Sequence, residues 1–207
     1  MAEAWRVVRL ALRNVWGDLL TTVVCNLLWV IFSLLIITGP PATLALFHVA
    51  NRIAHGELTN PTDFLRAVRR YFGVGWRWGV VNSVMLFLLV GDVVLTGRLS
   101  QSAFGHLAQG FFVAGLAAWL LLQLYVLPLL FEQETPGVRL ALRNAAVMLA
   151  ANPFFSALLL VLLAGALLAG TLIFFVSFAI GGMFVALVGN HAVLNRLTAY
   201  RSGEGGA

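Results

Sequence analysis

The chain has 207 residues, 61% of them hydrophobic and only 10% charged, with a mean hydropathy of +0.95. A soluble domain carries about 25% charged residues, so this composition excludes one and points to an integral membrane protein. The net charge of +5 comes from arginine alone; without zinc spacing or an aromatic-flanked basic groove it excludes nucleic acid and points to anionic headgroups of the lipid bilayer.

Residues 1–17 predict an amphipathic helix, with Arg6, Arg9 and Arg13 in one sector and Trp5, Val8, Leu12 and Val15 on the other side. Two readings stand open: an interfacial helix gripping headgroups, or an extension of the first span whose arginines only set topology. The run that follows is too long for a cleaved signal and lacks a small-residue cleavage pattern, so it is expected to stay in the membrane.

A helical hairpin is predicted over 19–54, broken at 39–41. Its first arm, Leu19 to Thr38, is long enough to cross about 30 Å of hydrocarbon. Gly39, Pro40 and Pro41 are expected to end it, because each proline removes a donor and pushes the residue before it away from helical angles. The second arm, Ala42 to Ala54, gives only about 20 Å of helix. It is either a short return segment or an interfacial one.

Charge favours the return. Arg52, Arg66, Arg69, Arg70 and Arg77 face only Glu57 and Asp63 in that stretch, which assigns it to the cytosol. Turning back at 39–41 puts it on the same side as Arg6, Arg9 and Arg13. Within it, 57–73 predicts a surface helix capped by Asn60 with Pro61 in its first turn. Phe64, Leu65, Val68 and Phe72 would face the membrane and Arg66, Arg69 and Arg70 the water.

Spans are predicted over 78–96 and 106–131. The next connection holds Glu132, Glu134, Arg139 and Arg143, with Thr135-Pro136 as a helix cap and first turn. Residues 153–196 exceed one span and predict a C-terminal hairpin turning between Leu168 and Phe175. Gly165, Gly170 and Gly181-Gly182 serve either that turn or close helix packing. The whole chain, 1–207, reads as a single all-α integral membrane domain. It is a polytopic bundle of about six membrane segments, about five full-length and one short, with cytosolic interfacial helices. Both termini are then cytosolic, and Arg98 alone of the thirteen arginines lies outside.

The heptapeptide VRLALRN occurs twice, at Val8–Asn14 and Val138–Asn144. Either the chain contains parallel repeats, or the same entry helix has arisen twice, with Arg9 and Arg13, then Arg139 and Arg143, as interfacial anchors.

Chemistry-bearing residues are sparse. Asp92 is costly in lipid; it is either held near the outer end of its span by Arg98 or water, or forms a cation or proton site. With Asn26 and Asn82 it makes up the candidate intramembrane polar site, serving either helix packing or a solute path. His48 and His55 stand seven apart without an adjacent acid, and Cys25 is the only cysteine, so neither a metal site nor an intrachain disulfide is assigned. No phosphate loop, dinucleotide fingerprint or nucleophile elbow occurs. The expectation is a protein that is not an enzyme, without catalytic, cofactor-binding or metal-binding residues.

Asp18-Leu19, the Cys25-Asn26-Leu27-Leu28-Trp29 block and the stretch from Ile36 through Thr38-Gly39-Pro40-Pro41 to Phe47 resemble the signature of the YesL-like bacterial integral membrane proteins, a domain family of unknown function. Pro41 falls where that family more often has alanine. The resemblance implies residence in the bacterial cytoplasmic (inner) membrane and an accessory or regulatory role in carbohydrate uptake beside membrane transport components. The alternative is a small secondary transporter or channel with a solute path near the broken 19–54 pair.

Overall fold

In a computed structural model, residues 2–99, 103–171 and 174–202 are described. Among them the regular elements are all helices: α1 (Ala2–Gly17), α2 (Leu19–Leu34), α3 (Gly39–Ala54), α4 (Pro61–Arg70), α5 (Phe72–Leu99), α6 (Ala103–Phe131), α7 (Val138–Ala151), α8 (Pro153–Thr171) and α9 (Phe174–Arg201). The all-α membrane bundle is as expected. Helices α5, α6, α8 and α9 are long and apolar enough to cross a membrane, and α1–α2 adds a fifth span if that pair, bent by 97°, is taken as one. The approximate six reached from sequence are those four together with the 16-residue arms α2 and α3.

The hairpin turn differs from expectation. Gly39, Pro40 and Pro41 do not end α2; they begin α3, with proline in its first turn. First-turn N–H groups lack helical partners in any case, so proline costs nothing there. The reversal is made four residues earlier, over Leu35–Thr38: the Thr38 and Gly39 N–H groups donate to the Leu35 carbonyl, and Thr38 Oγ1 donates to the Phe32 carbonyl at 2.6 Å.

This tip rests against the beginning of α5. Trp76 Nε1 donates to the Ile37 carbonyl at 2.9 Å. A Cβ on Gly75 would lie 2.7 Å from Pro41 Cα, and one on Gly79 2.7 Å from Pro40 Cβ. From Gly79, α5 continues to Leu99, about 30 Å of further rise. The α2–α3 pair therefore reaches only part of the way along α5, and its tip presents Leu34 and Ile36 about four-fifths exposed. The first arm is not a full-length span.

Three helical triplets share one plan: a short helix, then two helices that pack on each other, namely α1–α3, α4–α6 and α7–α9. Each short helix docks on the last helix of the preceding triplet, α4 on α3, α7 on α6 and, closing the ring, α1 on α9. The three last helices, α3, α6 and α9, meet one another in the centre. Sequence supports the plan: besides VRLALRN in α1 and α7, Val49-Ala50-Asn51-Arg52-Ile53 in α3 matches Val193-Leu194-Asn195-Arg196-Leu197 in α9.

Docking buries one face of each short helix against protein. On α1 the buried stripe is Ala4, Val7, Val8, Ala11 and Val15, while Trp5 and Leu12, expected on the apolar side, are 51% and 40% exposed. On α4, Phe64, Ala67 and Val68 are buried and Leu65 is exposed, as is Phe72 at the start of α5; Asn60 and Asp63 form the reciprocal cap. Thr135-Pro136 does not cap α7: Gly137 does, and its N–H donates to Gln133 Oε1 at 3.0 Å. At the C-terminal hairpin, α8 ends at Thr171 and α9 begins at Phe174; the turn expected between Leu168 and Phe175 includes residues 172–173, which lie outside the described residues.

Candidate functional site

The central helices α3, α6 and α9 bring Asn51, Glu132 and Asn190 together across 139 positions of sequence. Asn51 Nδ2 donates to Glu132 Oε1 at 2.8 Å and to Asn190 Oδ1 at 3.0 Å. Asn190 Nδ2 in turn donates to the carbonyls of Phe47 at 3.3 Å and Ala186 at 2.9 Å. His55 Nε2 stands 3.5 Å from the same Glu132 oxygen. A buried amide is costly unless paired, and here the pairing also fixes the three helices against each other.

Beside this knot lies a pocket of about 370 Å³, lined by His48 and Asn51 of α3, Arg70 at the end of α4, Tyr71, Val74 of α5, Phe131 of α6, and Gln133, Glu134 and Pro136 of the following connection. The rings of His48, Tyr71 and Phe131 form a triangle with centroids 5.1 to 5.2 Å apart. The Arg70 guanidinium lies over Tyr71, 5.4 Å from the ring centroid. Among the described residues His48 Nδ1 and Gln133 Nε2 are buried without a hydrogen-bond partner. The wall thus offers aromatic faces, a cation and a carboxylate, suiting a small polar molecule.

Next in α3 comes Arg52, whose Nε lies 2.7 Å from Glu57 Oε2 and Nη1 3.0 Å from Asp63 Oδ2. Arg66 approaches the other Asp63 oxygen at 3.3 Å. The Asn60 backbone N–H, and after it the Arg52 and Arg66 charges, hold the Asp63 carboxyl below the usual carboxylate range despite its partial burial. The matching arginine of the last triplet, Arg196, pairs with Glu3 of α1 and packs 4.0 Å from the Phe155 ring centroid. In both triplets an arginine ending the third helix holds an acid in or near the first turn of the short helix docked on it.

Of the residues named from sequence, His48, Arg70, Glu134 and Pro136 line this pocket. Asn26 reaches α9: its Nδ2 donates to the Phe178 carbonyl at 2.7 Å and its Oδ1 accepts the Met183 N–H at 3.0 Å. Gly182 makes that approach possible, since a Cβ there would lie 2.8 Å from Asn26 Oδ1. Asn82 Oδ1 accepts from Trp119 Nε1 at 3.0 Å. Asp92 is half-buried on α5, and among the described residues it makes no ion pair with Arg98. Asn26, Asn82 and Asp92 therefore occupy different helix contacts and do not converge. Gly39, Pro40 and Pro41 sit at the hairpin tip; Arg6, Arg9, Arg13, Arg66, Arg69, Arg139 and Arg143 are exposed on α1, α4 and α7. Among the described residues no three of His, Cys, Asp and Glu are grouped to hold a metal.

Asn51 and Tyr71 were not identified from sequence. The signal that leads to Asn51 is the paired Asn-Arg at 51–52 and 195–196, which marks equivalent ends of central helices.

The family described as "Protein of unknown function, DUF624" matches residues 22–93, about a third of the chain. The YesL-like signature from Cys25 to Phe47 falls inside that match and is consistent with it. No curated protein and no solved structure matches the chain.

Proposed function

We propose, with likeness to a membrane family of unknown function as the premise, that this protein is a non-enzymatic accessory or regulatory component of bacterial carbohydrate uptake. It would sit in the cytoplasmic membrane with both termini in the cytosol, beside membrane transport components. The observation that carries this reading is the engagement of the bundle's polar side chains: Asn26, Asn82 and Asn190 each bond a neighbouring helix. Amides used in this way position helices. The pocket beside the knot supports the regulatory half of the reading, because it offers a small molecule both donors and acceptors.

Orientation follows from counting. Four crossings and one returning hairpin bring α1, α4, α7 and the end of α9 to one face, and the arginine-rich segments then share it, which the positive-inside rule assigns to the cytosol. The carbohydrate assignment rests on the YesL-like resemblance.

Mild crosslinking in native membranes, followed by purification and identification of captured chains, tests the proposal. Reproducible capture of transport subunits is expected; recovery of this chain alone removes its support. Facilitated solute flux in sealed vesicles holding only this protein would replace the accessory reading with the transporter one.

A further inference from the structure

VRLALRN places an arginine-asparagine pair at equivalent points of α1 and α7, and a groove opens beside each. The groove at α7 measures about 550 Å³ and has an apolar floor of Leu129, Met148 and Leu197, with Arg143, Asn144 and Tyr200 at its mouth. Val147, 62% exposed, forms its outer edge. The groove at α1 measures about 290 Å³. There Gly17 stands for Val147, Asp18 for Met148, Ile53 for Leu197 and Gly56 for Tyr200. Glu57 lines that groove as well. One scaffold thus presents an arginine over an apolar trough in one triplet and an arginine among acids in the other.

The α7 groove lies where a lipid would meet it. Helix α7 joins the end of α6 to the start of α8, two apolar spans, so it runs at headgroup level. Arg139 stands one turn before Arg143 on the same side. Neither pairs with an acid among the described residues, and no acid lines the trough.

We propose that this groove binds one anionic phospholipid, its phosphate at Arg143 with Asn144 beside it and an acyl chain along Leu129, Met148 and Leu197. Charge complementarity selects the headgroup, and the apolar floor selects a lipid over a free anion. The acid-lined groove at Arg13 does not bind it.

The full chain, purified in mild detergent and titrated with phosphatidylglycerol or phosphatidylcholine, tests this by native mass spectrometry. One phosphatidylglycerol is expected to be retained in preference to phosphatidylcholine. Arg143→Ala should weaken retention about fivefold, and Val147→Asp, at an exposed edge that does not endanger folding, should weaken it at least as much. Arg13→Ala should leave it unchanged, and inorganic phosphate at equal concentration should not displace the lipid. Equal retention of both lipids, full retention by Arg143→Ala and Val147→Asp, or displacement by phosphate would each overturn the proposal.

Discussion

Helices α1 and α7 carry the same seven residues and bury the same alanine, Ala11 in one and Ala141 in the other, while their arginines stay exposed. They differ in what fastens them. Asn14 Nδ2 donates to His191 Nε2 at 3.0 Å and Glu3 pairs with Arg196; Asn144 is exposed at the mouth of a groove. Identical local sequence thus sets how a short helix docks, and the residues around it decide whether it is locked or left beside an open trough.

The largest effect should come where the two helices are alike. Leucine at Ala11 or Ala141, both fully buried, overpacks a helix contact and should cost about 3 kcal/mol in either copy. Denaturation in mixed micelles measures this, and a loss confined to Ala11→Leu would mean that α7 docks loosely. Next, the repeat equivalents Asn51 and Asn195 should separate. Asn51→Ala strands Glu132 and Asn190 and should cost about 2 kcal/mol. Asn195→Ala, at a half-buried residue, should cost clearly less.

Asp63→Asn removes one half of the α4 cap and should cost about 1 kcal/mol. Because the Asp63 carboxyl is held below its ordinary value, its contribution is complete above about pH 4. It fades as pH falls through the folded value. Protection of the α4 amides against hydrogen exchange, relative to the intrinsic rate at each pH, should therefore fall in acid in the parent chain, and Asp63→Asn should flatten that dependence. The smallest effect is the sharpest discriminator: Asn14→Ala should lose about 0.5–1 kcal/mol with its bond to His191. Asn144→Ala should lose nothing measurable, and equal losses would erase the distinction between the two copies.

The long spans were legible because twenty apolar residues in a row have few other uses. The position of the hairpin turn was not, since proline is as suited to starting a helix as to stopping one. The seat of α1 was hidden for another reason. Its arginine stripe suggested headgroups, but the residues that dock, Ala4, Val7, Val8, Ala11 and Val15, are small, and the helices α1 packs on most, α8 and α9, lie far along the chain. The pocket was hidden by distance, because Asn51, Glu132 and Asn190 become neighbours only when three separate triplets have folded.

The clasp of Glu3 on Arg196 also carries a consequence for synthesis. Helix α1 is made before α9, the helix it docks on, so it waits through the synthesis of α2 to α8 without that partner. During that wait its stripe of alanine and valine can rest on the bilayer surface with its arginines in water. Arrival of α9 then converts a lipid contact into a protein contact.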